Sequence, residues 1–355
     1  MTSFILEHYI EGCLPVSILL PVIGILVLLL VCLTGVVWFK FTFLFGVVFP
    51  YAASFIFISG CIYRVVIWAR SPVPFCIPTV CGQQRSLLWI KSDKVQSPFT
   101  SWGLIRRMAS EIVFFRSLFR NDKTELRKGQ ILSNDASRLL WLGGLVFHWS
   151  IFIILVRHLK LFVEPVPRFA VFLQNIDGMF QFGSSNFYLT DVFILLSLLF
   201  LLLRRIVSSR MRLISIFTDY FALYLILAIL VSGVLMKYVY KADVMSIKRM
   251  VMGMLAFKPF VIADMSPVFY VHIFFVCILL IYFPFSKLMH LGGVFLSPTR
   301  NLKNDSRAKR HVNPWDYPVK VHTYEEWENE FRSALKEAGL PVEKRKIRKS
   351  KEDND

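Results

Sequence analysis

Residues 139–162 read LLWLGGLVFHWSIFIILVRHLKLF, and residues 267–291 read PVFYVHIFFVCILLIYFPFSKLMHL. Each is apolar and long enough to cross the hydrocarbon core of a bilayer, which takes about 20 residues of helix. Each also carries two histidines: His148 and His158 in the first, His272 and His290 in the second. A polar ring inside a membrane is expensive and needs a partner. Two such rings on each of two helices form a pattern, and the rest of the chain can be read around it.

Four further stretches qualify as spans, at about 15–39, 41–68, 188–203 and 216–240. The 355 residues are 55% hydrophobic and only 18% charged, with 34 Phe, and the charges avoid the apolar blocks. A soluble protein carries about 25% charged residues. These figures exclude a disordered chain, a disulfide scaffold and an ordinary soluble enzyme. They predict an all-α membrane protein with six transmembrane helices. Residues 1–14 hold Glu7 and Glu11 but no Lys or Arg, which does not suit a cleavable signal peptide. The expected organisation is a first helix in 1–40, a second in 41–69, a connection at 70–138, helices three to six in 139–297, and a tail at 298–355.

Orientation follows from the basic residues between spans. The 70–138 and 204–212 connections and the tail from Lys287 together hold 31 Lys and Arg, against 8 in the alternating set. Six spans then place both termini on the basic, cytoplasmic side. The net charge of +17 is explained by this rule and does not require a nucleic-acid partner.

The four membrane histidines allow a geometric test. His272 and His290 are 18 residues apart, which is five whole helical turns and about 27 Å of rise. His148 and His158 are 10 apart, which is about 15 Å. The third and sixth spans run antiparallel, so His148 faces His290 near the cytoplasmic side and His158 faces His272 near the outer side. Each pair can hold one iron between two imidazoles, giving two non-covalent b-type haems. Zinc fits less well, because each pair lacks further ligands. The two rises differ by about 12 Å; helix tilt and a bend at Pro284 are expected to absorb the difference. Gly143, Gly144 and Gly233 are expected to let a flat macrocycle approach the backbone. No C-x-x-C-H is present for covalent haem attachment.

Further residues carry a resemblance. Phe147-His148, Arg157-His158, the run Tyr282-Phe283-Pro284-Phe285-Ser286-Lys287-Leu288-Met289-His290, Phe49-Pro50-Tyr51-Ala52 and Leu203-Arg204-Arg205 resemble the gamma subunit of respiratory nitrate reductase over about residues 40–297. The extra first span, the long 70–138 connection and the tail depart from it. They resemble instead the DsrM family, the cytochrome b subunit of the sulfite-reduction-associated membrane complex. The stretches that carry this are Pro78-Thr79-Val80-Cys81-Gly82-Gln83-Gln84, Ser97-Pro98-Phe99, Phe114 to Arg120, Asn313-Pro314-Trp315 and Val321 to Glu326. Cys81 to Gln84 and the Trp327-containing tail argue against a nitrate reductase gamma or heterodisulfide reductase cytochrome b subunit proper.

The resemblance implies a di-haem bundle of four or five helices behind the extra first one. It implies that His148 and His290 hold an inner haem, and His158 and His272 an outer haem. Menaquinol is implied to exchange electrons near the outer haem, and a cytoplasmic iron–sulfur subunit resembling heterodisulfide reductase to exchange them at the inner end. Other subunits of a Dsr-type complex, the cytoplasmic membrane of a prokaryote and a trisulfide-bearing carrier protein as end acceptor are implied as well. Such a chain is an electron-transfer subunit rather than a complete enzyme. A haem-free anchor is the competing reading from another class, and a transporter a third.

Quinone chemistry needs groups that accept protons and bind the ring oxygens beside the haem. Lys160, Glu164, Arg168 and Asp177 in the outer 159–187 connection are the candidates; a solvated loop is the alternative. Haem propionates need cations, and the Arg fork suits a carboxylate. Arg64, Arg204, Arg205 and Arg212 stand at the inner side, where positive-inside topology also explains the last three. Residues 101–120 predict an amphipathic helix, with Leu104, Met108, Ile112, Phe115 and Phe119 on one face. The tail predicts a short helix with a Thr323/Glu326 capping box and a Trp327, Phe331, Leu335 stripe that needs something to dock on. The residues from about Glu343 are charged and expected to be disordered. Cys76 and Cys81 are expected as reduced thiols, and Cys13, Cys32, Cys61 and Cys277 as packing residues.

Overall fold

Apolar length is what the chain spends on its helices, and the computed structural model turns most of it into rods. It describes residues 16–71, 82–120, 122–127, 131–136, 138–182, 185–262, 265–297, 301–305, 308 and 322–343. The expectations for Cys13, Cys76, Cys81, Asn313 to Trp315 and the end of the chain after Glu343 lie outside these residues.

In chain order the helices of the membrane unit are α1 (Val16–Leu33), α2 (Phe49–Arg70), α3 (Ser101–Phe114), α4 (Arg116–Phe119), α5 (Arg138–Phe162), α6 (Arg168–Asp177), α7 (Leu189–Val207), α8 (Ser209–Ile214), α9 (Phe217–Val234), α10 (Val244–Leu255), α11 (Pro267–Tyr282) and α12 (His290–Leu296). Two short antiparallel hairpins interrupt them: β1 (Asp122–Arg127) with β2 (Ile131–Ala136), and β3 (Phe180–Phe182) with β4 (Ser185–Phe187). The sequence reading expected neither hairpin.

Five stretches are long and apolar enough to cross a membrane: Val16–Trp38, Leu44–Arg70, Arg138–Phe162, Phe217–Val239 and Pro267–Phe285. The protein is a multi-pass, helical membrane protein. Where the fourth of the six expected spans falls, α7 supplies 19 residues with Asp191 in its first turn and Arg204 and Arg205 in its last. Large apolar side chains face outward along these rods; Leu30, Phe55 and Leu196 are 62%, 72% and 60% exposed. Water would penalise such a surface, and lipid accepts it.

Inside the bundle, α5 packs on α7, α2 on α11, and α9 on both α1 and α11. The main core joins Cys32 of α1 and Val36 just after it to Phe45, Leu225, Ile247, Met250 and the aromatic face Phe269, Tyr270, Phe274 and Phe275 of α11. Cys32 and Cys277 are buried packing residues and Cys61 is half-buried. A second core, Phe147, Ile194, Leu198 and Ile226, ties α5 to α7 and α9.

Two expectations about helix continuity are corrected. The sixth expected span does not run unbroken to Leu291. It stops at Tyr282, passes through tight turns at Phe283–Phe285 and Lys287–Met289 separated by extended Ser286, and restarts at His290. Pro284 cannot donate its backbone N–H and clashes with the preceding turn, so the helix breaks rather than bends. The break has a socket: a Cβ on Gly60 would lie 2.9 Å from the Pro284 ring. Likewise the 101–120 helix is two pieces, because Phe115 adopts a left-handed backbone with φ of 48°.

The segment before α3 is held by local polar contacts. The backbone amides of Gln96 and Val95 donate to Asp93, and with burial opposing them these bonds and Arg116 and Arg120 hold its carboxyl below the usual range. On the other side of the membrane unit, α10 starts at Asp243, whose carboxyl is held low by the Ser246 hydroxyl and by the Ser246 and Met245 amides.

Residues 309–355 form a separate unit. Its helix α13 (Tyr324–Glu337) carries the expected capping box, with the Thr323 hydroxyl accepting from the Glu326 amide and Glu326 accepting from the Thr323 amide. Buried Glu328 pairs with Arg332 at 2.9 Å, and left-handed Gly339 ends the helix.

Candidate di-histidine centres

His148 sits on α5 and His290 opens α12. The break in the chain after Tyr282 brings their rings to a centroid separation of 6.0 Å at an interplanar angle of 85°. Two imidazoles bonded to one metal through distances of about 2 Å have centroids roughly 6 Å apart, so the spacing fits a shared ion. At the other end of α5, His158 lies within electrostatic reach of His272 on α11.

All four rings are held in the same way. Nδ1 of His148 donates to the Gly144 carbonyl at 2.7 Å, and that of His158 to the Ile154 carbonyl at 2.7 Å. Nδ1 of His290 donates to the Lys287 carbonyl at 2.9 Å, and that of His272 to the Ile229 carbonyl at 3.1 Å, with the Ser232 hydroxyl also at 3.1 Å. A carbonyl can only accept, so each Nδ1 carries the proton and each Nε2 presents a lone pair. This is the tautomer control that metal-ligating histidines use. Among the described residues no three His, Cys, Asp or Glu gather around a common point. A centre with two protein ligands suits a metal that brings its own equatorial donors, and a haem does so.

Gly233, expected to admit a flat macrocycle, makes room for the His272 ring itself, which a Cβ there would approach to 3.1 Å. Gly144 supplies the carbonyl for His148. Gly143, expected to serve the same purpose, instead makes room for Phe200, whose ring would meet its Cβ at 2.6 Å.

The four inner arginines separate into two groups. Arg205 bonds the Ser215 hydroxyl at 3.1 Å and lies 3.6 Å from Asp219, which Lys287 also binds at 2.7 Å. Arg212 donates to the Ile206 carbonyl at 3.2 Å. Both are engaged by the chain itself. Arg64 is different: its buried Nε has no hydrogen-bond partner. It lies on α2 between Gly60, which touches Pro284, and Trp68, whose ring approaches Gly292. That places it level with His290. Arg204, one turn from Phe200, likewise has no ion-pair partner among the described residues.

The His158 end of α5 holds a cluster that sequence reasoning missed. Arg157 is buried on α5 and binds Asp177 at 2.5 Å and Asp191 at 2.8 Å, with Thr190 at 3.1 Å. Asp177 also accepts from the amide and hydroxyl of Thr190. Asp191 accepts from Lys237 at 3.3 Å and from the Tyr238 hydroxyl at 2.8 Å. The Arg157 guanidinium and the Lys237 ammonium both lie over the Tyr188 ring, at 3.9 and 3.2 Å. Two cations and two carboxylates thus neutralise one another next to His158. Arg157 and Lys237, ionisable groups inside apolar spans, were the available signal.

The candidates for quinone contact are dispersed by this arrangement. Asp177 is corrected from a free proton acceptor to a member of the buried cluster, since its oxygens are taken. Glu164 pairs with Lys248 of α10. Arg168 is exposed at the start of α6. Lys160 donates to Gln174 at 3.2 Å, and both line a cavity of about 140 Å³ with Arg157, Val166, Ala170 and Val171.

Residues 105–308, more than half of the chain and the part with all four histidines, match the family profile of the nitrate reductase gamma subunit. The chain belongs to the nitrate reductase gamma subunit family. Among its relatives, a protein of Archaeoglobus fulgidus named Hdr-like menaquinol oxidoreductase cytochrome b-like subunit is 46% identical over 280 residues, covering 77% of this chain and 83% of the relative. A protein of the same name from Archaeoglobus profundus is 42% identical over 274 residues, covering 75% and 81%. This gamma-family chain is thus similar to cytochrome b-like subunits of a menaquinol oxidoreductase, and α1 and α2 lie outside the stretch that the gamma profile matches.

Proposed function

We propose that this chain is the di-haem cytochrome b subunit of a menaquinol-linked membrane complex. The observation that carries it is the shared setting of four membrane histidines, each with Nδ1 on a backbone carbonyl and Nε2 free. His148 and His290 hold the inner haem, His158 and His272 the outer. The haems, when bound, supply one-electron exchange between the two faces of the membrane. Arg64, and then Arg204, are the cations available to inner propionates; Arg205 and Arg212 are already engaged.

The quinol head binds at the mouth of the cavity between α5 and α6. Lys160 and Gln174 orient its oxygens, and Arg157 fixes the cavity wall. Oxidation of a quinol releases two electrons and two protons; both protons pass to solvent, with exposed Glu164, ion-paired to Lys248 in the loop after α5, as a relay. Electrons leave at the inner end to a cytoplasmic iron–sulfur subunit resembling heterodisulfide reductase, as the names of the relatives suggest. A Dsr-type complex in dissimilatory sulfur metabolism is the assignment that the cytoplasmic connection and the tail support. In this reading α7 is the fourth of six spans, with Asp191 neutralised at its outer end and its arginines standing at the inner. Both termini are then cytoplasmic, in the cytoplasmic membrane of a prokaryote.

The test is a pyridine haemochrome assay on the purified chain, with His148→Ala and His272→Ala beside it. About two non-covalent b haems per chain are expected, falling toward one in each variant. A chain expressed with added haem precursor that binds none would leave a haem-free anchor as the better reading.

A further inference from the structure

The left-handed backbone at Phe115 is unusual for a bulky residue, which loses energy there that Gly would not. Five contacts hold it in place. The Trp141 indole donates to the Phe114 carbonyl at 2.7 Å, and the Trp149 indole to the Val113 carbonyl at 3.0 Å. Both tryptophans come from α5, the helix that carries His148. The Phe115 amide donates to the Glu111 carbonyl at 3.1 Å. The Glu111 carboxylate reaches past the bend to the Ser117 amide at 2.9 Å and the Ser117 hydroxyl at 2.7 Å, opening α4. The elbow therefore survives its strain because helices on both sides fix it.

Its product is one contact. The Phe115 ring meets the His148 ring edge to face, with centroids 5.0 Å apart and planes at 71°. Phe147 meets the same imidazole at 5.2 Å and 88°. With Nδ1 tied to Gly144, two aromatic walls fix the remaining freedom of the ring, its rotation about χ2. Aromatic pairs prefer this edge-to-face arrangement, which selects one orientation of the ring.

We propose that Phe115 is a positioning residue for His148, delivered by the 82–120 segment to set the plane of that imidazole and to keep water from it. The proposal rests on the reading of His148 as an inner haem ligand, and it makes the cytoplasmic segment part of the inner centre. Whatever binds α3 from the cytoplasm then acts on a haem ligand through one ring.

The test uses the full chain with Phe115→Leu, Phe115→Gly and Phe115→Tyr. In haem-loaded protein, Leu and Gly are expected to keep both haems, to shift the low-spin electron paramagnetic resonance signal of one of them, and to lower the midpoint potential of that haem alone as water approaches. Tyr restores the parent values. In chain prepared without haem, carbethoxylation of His148, read by mass spectrometry, is expected to rise several-fold in Leu and Gly while that of His158 is unchanged. Unchanged spectra together with an unchanged His148 rate would overturn the proposal. So would a Gly variant that matches the parent, since relief of the elbow and not the ring would then be what counts. Absence of haem in the parent chain removes the haem reading alone; the His148 rate still decides whether Phe115 covers that ring.

Discussion

The two ends of α5 surround a histidine in opposite ways. Beside His158 the surroundings are ionic: Arg157, Asp177, Asp191 and Lys237 form a neutral buried cluster that joins α5, α6, α7 and the end of α9. Beside His148 they are aromatic and geometric: Phe115, Phe147, a broken helix after Tyr282 and two indoles on backbone carbonyls. Charges in low dielectric are strong and unforgiving, because removing one leaves another uncompensated. Ring contacts and single hydrogen bonds are weaker and shift by degrees. The His158 end is therefore built to stay fixed, and the His148 end to respond to what meets the 82–120 segment.

The largest effect is expected where that ionic end is broken. Arg157→Met removes the shared partner of Asp177 and Asp191 while keeping most of the volume. A loss of about 3–5 kcal/mol is expected, read as unfolding in mixed micelles, with the outer histidine pair disturbed first. Asp177→Asn in the same chain should recover part of it. A thermal midpoint equal to the parent's would show that the cluster is solvated rather than buried.

A middle effect is expected at the inner break. In Gly60→Val the new side chain meets Pro284, and overpacking of this kind costs about 1–3 kcal/mol. The displacement is felt at His290 and not at His272, so haem lost or shifted should be the inner one; equal disturbance of both haems would contradict the separation of the two ends.

The smallest is expected from Trp141→Phe. It deletes one indole hydrogen bond to Phe114 and should lower stability by about 0.5–1.5 kcal/mol. Hydrogen exchange at the amides of 113–117 should rise, with the 157–191 amides unchanged. If exchange rises at both ends, the elbow is coupled to the outer cluster and the contrast drawn above fails.

What the sequence revealed follows from the strength of each constraint. Apolar rods are legible because a bilayer imposes a length, and the four membrane histidines stand out because two on each of two helices form a pattern. The cluster around Arg157 was not, since its carboxylates lie 20 and 34 residues away and Lys237 comes from a further helix. Only the folded bundle brings them together. Pro284 announced a bend, but the size of the break depends on the notch at Gly60, a contact between segments far apart in the chain. Phe115 carried no Gly or Pro signal at all; its left-handed turn is imposed by tryptophans from α5. Asp177 was read as a loop carboxylate because sequence distance hides burial. The capping box at Thr323 was read correctly because every part of it lies within four residues.

The break after Tyr282 has a consequence for how the molecule can vary. With one continuous helix, any change in twist or tilt near His272 would be carried to His290 as on a single axle. Here the axle is cut between them, and seven residues of turn stand in the gap. Each histidine of this segment answers to its own neighbours, so the surroundings of His290 can be retuned, residue by residue, while His272 keeps its alignment.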